Sequence, residues 1–196
     1  MFGWLLARGR CRACRTAIDG FYPLVEVTAA LLAIWGLWVV PGWLGWLTCL
    51  LGWVLLALAL IDLRTYTLPD VLTLALLAAG LGTIAIVDPD RLADHLLGAL
   101  AGYGVIAALR AAYRWLRGIE GIGLGDAKLL AAAGAWLSWE GLPAVLLVAA
   151  ACGLLVSVGL SLLRGRPVAG TARLPFGPFL AGAFWLAWLY GPLAVG

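Results

Sequence analysis

Long apolar runs separated by short polar joints dominate this chain. Seven of them approach the ~20 consecutive residues that cross a bilayer as a helix: 22–40, 43–61, 69–87, 95–115, 126–137, 142–163 and 175–190. The fifth is the shortest and reads as tilted, broken or buried among the others. Proline and glycine mark the joints, at Pro41-Gly42, Leu68-Pro69, Asp88-Pro89, 118–125, 141–143 and Gly165-Arg166-Pro167. The pattern predicts an all-α polytopic membrane bundle of about seven spans over 21–196, preceded by a basic tail over 1–20.

Composition supports that reading. The chain is 64% apolar and 12% charged, with a mean hydropathy of +1.04; a soluble domain carries roughly 25% charged residues. The opening residues MFGWLLARGRCRACR lack the long apolar core of a secretory signal. A net charge of +3 matters less than where the charges sit. With the amino terminus cytoplasmic, twelve of the 13 basic residues fall on the cytoplasmic side and only Arg91 lies opposite. Asp88, Asp90, Asp94 and Glu140 then lie outside, with Trp38, Trp43, Trp46, Trp136, Trp139 and Trp188 as an interfacial belt. Asp62, Asp70 and Asp126 share the cytoplasmic face.

Those carboxylates carry the candidate chemistry. Asp126 stands in GIGLGDAKLL, where a glycine-rich loop meets an apolar segment, and Asp62 closes the run LGWVLLALALID. An ionisable group at the rim of a span is expensive and marks function. Two at one face are the minimum for acid–base hydrolysis with a shared proton. They would equally suit proton or cation passage in a small transporter or channel. A helix N-cap is the structural alternative for Asp126, while Gly123 and Gly125 permit close backbone approach. Asp70 follows Pro69 at a helix start, where capping or the helix dipole favours a carboxylate. Lys128 reads first as a positive-inside anchor and second as a group tuning Asp126.

Other polar residues are less pointed. Glu26 is either interfacial or a functional contact, and His95, the single histidine, reads as structural and distant from the aspartates. Cys11 and Cys14 have metal-ligand spacing, but zinc normally takes four ligands, so they form an incomplete site at most; Cys49 and Cys152 are isolated in apolar runs. Gly98 and Gly102 are spaced for close helix packing.

Taken in order, RGRCRACRTAI with YPLVE, ALIDLRTYTLPDVLT, GIGLGDAKLLAAAGAWLSW and LPFGPFLA resemble the prepilin peptidases, membrane aspartic proteases of the GxGD type. The resemblance covers nearly the whole chain. The presenilin-type GxGD proteases fit less well, because PFGP stands where their PAL block would be. The resemblance places the catalytic pair on Asp62 and Asp126. It implies cleavage of the basic leader from type IV prepilins or type II secretion pseudopilins at the cytoplasmic face of a bacterial inner membrane. Glu26, Glu120 and Asp70 become candidates for meeting that leader. Expected partners are this protein substrate and membrane lipid, with no nucleic acid. Peptide cleavage needs no cofactor or metal. Many family members also N-methylate the new amino terminus with S-adenosylmethionine. Here the family's usual first span, the polar loop after it and its first CxxC pair are not found, so the expected product carries a free, unmethylated amino terminus.

Overall fold

The computed structural model describes residues 4, 9–11, 13–118, 123–164 and 175–191. Over residues 21–191, six α-helices are described: α1 Phe21–Val39, α2 Trp43–Thr65, α3 Asp70–Val87, α4 Leu92–Arg117, α5 Leu124–Arg164 and α6 Gly177–Tyr190, with a 3-10 turn, Pro89–Arg91, leading into α4. Among the described residues the one strand-like pairing is an isolated bridge between Arg10 and Ala17, so the all-α class holds. Helices α1 to α5 are long and apolar enough to cross a membrane, and α6 is shorter. The chain divides into two compact units, Met1–Trp53 and Val54–Gly196.

In the first unit, a tight backbone loop precedes α1. Cys11 N–H donates to the Thr16 carbonyl and Ile18 N–H to that of Gly9, which sets Cys11 and Cys14 around a turn. The Asp19 carboxylate accepts the Phe21 N–H at 3.0 Å and so satisfies an amide at the start of α1. Pro41 and Gly42 (φ +85°) turn the chain into α2, and the Trp53 indole donates back to the Ala29 carbonyl at 3.0 Å. Trp38, Trp43 and Trp46 are all exposed.

The second unit is built around the first arm of α5. Residues 127–133 and 135–138 of this arm are almost all buried, which explains a segment apolar on every side. It can be short because neighbouring helices surround it. The runs 126–137 and 142–163 form two helical arms of α5, parted at Ser138 (φ 61°, ψ −178°). The neighbours show that the chain reverses there. Along the first arm, Gly125 meets Leu68 and Trp136 meets Gly80, so this arm runs parallel to α3. Gly102 meets Leu130 and Gly98 meets Gly134, so α4 runs antiparallel to it. Trp136 packs edge-on against Trp188 at 5.0 Å, near the end of α6, whereas Gly153 of the second arm lies beside Phe179 at its start. The second arm therefore returns along α6. Ser138 has a backbone conformation that glycine normally takes. Its hydroxyl accepts the Glu140 N–H at 3.3 Å, capping the second arm.

At this reversal Arg91 and Glu140 pair at 3.0 Å, as their shared expected face requires. His95 is buried with Nδ1 3.0 Å from the Ala135 carbonyl, in keeping with a structural role. One expectation fails. Trp136 is not part of an interfacial belt: it is buried, and its indole donates to the Leu76 carbonyl at 2.8 Å. Gly80 leaves the room for that contact.

Candidate active site

The end of the second unit opposite the Ser138 reversal gathers the polar residues of interest. Helix α2 continues to Thr65, so Asp62 lies inside the helix rather than beyond it. Asp62 is only 6% exposed. Its Oδ2 accepts the N–H of Gly177, the first residue of α6, at 3.0 Å. That amide is one of those a helix leaves unpaired at its N-terminus, and the helix dipole favours an acidic group there. A side chain at 177 would not fit, since a β-carbon would come within 2.7 Å of the Asp62 carboxylate.

Asp126 is the third residue of α5. Its carboxylate accepts the backbone N–H of Gly123, the contact that the third helical residue makes in a capping box. Asp126 thus caps the helix start from its third position rather than as the N-cap residue itself. The charge of Asp62 acts on Asp126. The two carboxylates therefore share one end of the unit, each taking a backbone amide from a different helix start. Gly125 admits Leu68, whose β-carbon would lie 2.8 Å from a β-carbon at 125. This packs the turn after Asp62 onto the start of α5.

The remaining candidates divide. Pro69 directly precedes α3 and Asp70 opens it, without a side-chain cap. Asp70 is instead paired with Lys128, Nζ to Oδ1 at 2.5 Å, so Lys128 turns to Asp70. Glu26 is exposed on α1 in the first unit, and Glu120 lies outside the described residues. Cys11 and Cys14 carry free thiols. The Thr16 hydroxyl and amide, together with the Cys11 thiol, pull the Cys14 thiol down to about 7. Gly177 was missed from sequence. Its signal was the PFGP string, which offers no chemical side chain at the position that matters.

The profile of the type IV leader peptidase family matches residues 49–158, a stretch containing both Asp62 and Asp126. The chain belongs to the type IV leader peptidase family. A second profile, the bacterial Peptidase A24 N-terminal domain, matches residues 1–40 of this family member. The chain is 46% identical over 192 residues to the prepilin leader peptidase/N-methyltransferase of Aeromonas salmonicida, covering 97% of this chain and 65% of that protein. It is 46% identical over 189 residues to the protein of that name from Burkholderia pseudomallei, at 92% and 58% coverage. Against the one from Pseudomonas aeruginosa the identity is 39% over 197 residues, at 97% and 66%. This family member thus spans between 58% and 66% of the length of these curated relatives. No solved structure matches it.

Two groups associated with the family were tested against the residues present. Cys11 and Cys14 supply two sulfurs where structural zinc takes four ligands. Among the described residues no three His, Cys, Asp or Glu side chains come together to hold a metal. The relatives' names include N-methyltransferase, but the described residues contain no strand–glycine–helix unit for a nucleoside cofactor. Cys11 and Cys14 by themselves therefore do not complete a zinc site.

Proposed function

We propose that this chain is a membrane aspartic endopeptidase that removes the basic leader from type IV prepilins or type II secretion pseudopilins. The observation that carries the reading is the pairing of two carboxylates at one end of an apolar bundle, each anchored by the amide of a helix start. The relatives' names supply the substrate class. Under this reading one carboxylate is ionised and takes a proton from water as the oxygen attacks the scissile carbonyl. The other is protonated and donates to the carbonyl oxygen; on collapse, a proton passes to the departing amine. Water is consumed, and the proton count on the pair is restored after each turnover. The distribution of basic residues along the sequence supports a cytoplasmic position for this end by the positive-inside rule, in a bacterial inner membrane.

Purified protein incubated with a panel of prepilins tests the reading. Asp62→Asn and Asp126→Asn should each abolish cleavage while the protein stays folded and inserted, because asparagine keeps the shape but cannot cycle a proton. Near wild-type cleavage by either variant would remove the pair from the mechanism. Ion flux that depends on both aspartates, without cleavage, would favour a transporter instead. Intact-mass analysis of the product with S-adenosylmethionine present should find a free amino terminus; an added methyl group that depends on this protein overturns that expectation.

A further inference from the structure

We infer that Lys128 and Asp70 form a positioning pair that holds Asp126 against Asp62; the inference rests on the peptidase reading. Its starting point is an ion pair whose placement matters more than its strength. Asp70 is 61% exposed and Lys128 27%, and pairs so open to solvent contribute little to folding. The two partners nevertheless sit on the same two chain segments as the candidate catalytic carboxylates. Asp62 and Asp70 bracket the turn between α2 and α3. Asp126 and Lys128 lie two residues apart in the opening turns of α5.

Residues two apart on a helix point to well-separated sides. The start of α5 thus meets Asp70 through Lys128 on one side and on another carries Asp126 within the field of Asp62. The buried Leu68, between Asp62 and Asp70 in the chain, packs onto Gly125. The turn itself is fixed. Tyr66 takes a left-handed conformation (φ 54°) and donates its N–H to the Asp62 carbonyl at 2.9 Å, after which Pro69 starts α3. A clasp of this kind transmits displacement: when Lys128 releases Asp70, the turn can lift from α5 and the separation of the carboxylates changes. A lysine serving only as an interfacial anchor would instead affect insertion and leave the reaction alone.

The test uses the full chain with Lys128→Met, Asp70→Asn, and a reversed pair carrying Asp70→Lys with Lys128→Asp. Each single variant should lower kcat for prepilin cleavage by a factor of about ten, with KM changed less than about twofold, as expected for a misplaced reacting group. The reversed pair should regain most of the loss. An activity-independent readout accompanies this: cysteines placed at 62 and 126, with the four native cysteines replaced, should cross-link more slowly when Lys128→Met is added. Singles that match wild type in kcat and cross-linking rate overturn the inference. So does a reversed pair no faster than slow singles, which would give Lys128 a role of its own. If the wild type cleaves no prepilin, the peptidase reading fails, while the cross-linking comparison still decides whether the clasp positions the carboxylates.

Discussion

Replacing Gly177 by alanine probes how Asp62 is held. The added β-carbon would stand 2.7 Å from Oδ2, 2.9 Å from Cγ and 3.1 Å from Cβ of Asp62. Ordinary contact begins near 3.4 Å, so the carboxylate must retreat by about 0.7 Å or α6 must shift as far. Either movement lengthens the 3.0 Å hydrogen bond from the Gly177 amide. A hydrogen bond to a charged group is worth about 1.5–3 kcal/mol, and displacement by about 1 Å at a reacting centre costs up to ~100-fold in rate. A fall of about 10- to 100-fold in kcat is therefore expected. Gly182→Ala, in the same helix with open space around its β-carbon, is the control for helix propensity and should leave activity near wild type. Kinetics of prepilin cleavage with all three proteins, alongside thermal unfolding to confirm the fold, decides the matter. A folded Gly177→Ala protein that keeps the wild-type kcat would refute the anchoring role of this amide.

Two further outcomes follow from local geometry. Alkylation of Cys14 by iodoacetamide, followed by peptide mass spectrometry, should reach half its maximal rate near pH 7, because contacts from Thr16 and Cys11 pull this thiol to about 7. Thr16→Val should move that midpoint upward, toward the ~8.5 of a free thiol, and an unchanged midpoint would discount the threonine. Gly134→Ala would drive a β-carbon into the Gly98 carbonyl. It should cost about 1–3 kcal/mol by forcing α4 and α5 apart, read as a lowered Tm. Gly104→Ala, with nothing near its β-carbon, should not lower it.

What could be read in advance depended on whether a residue advertises itself. Asp62 and Asp126 stand out because a carboxylate in an apolar run has few reasons to be there. Close approach at Gly98 and Gly102 was legible from their spacing, but not the partners Gly134 and Leu130. Lys128 and Asp70 each had a sensible local explanation; their pairing joins positions 58 residues apart, which no local pattern encodes. Gly177 acts through a backbone amide, and every residue but proline has one. Trp136 was misplaced because an aromatic near the end of an apolar run looks like an interfacial anchor. Here its N–H finds a carbonyl within the core. The joint at 141–143 was visible in its glycine and proline, whereas a reversal centred on Ser138 was not.

That reversal sets a mechanical relation between the protein and the surrounding lipid. Residues 124–137 before Ser138 measure only about 21 Å along the axis, as does the 14-residue α6. A typical hydrocarbon core is ~30 Å thick. Among the described residues, the two shortest α-helical segments are also the two whose starts hold Asp126 and Asp62. Around them the bilayer has to compress or the carboxylates have to lie below the level of the headgroups, each at an elastic cost that grows with mismatch. Acyl-chain length thereby acts directly on the depth at which the two carboxylates sit.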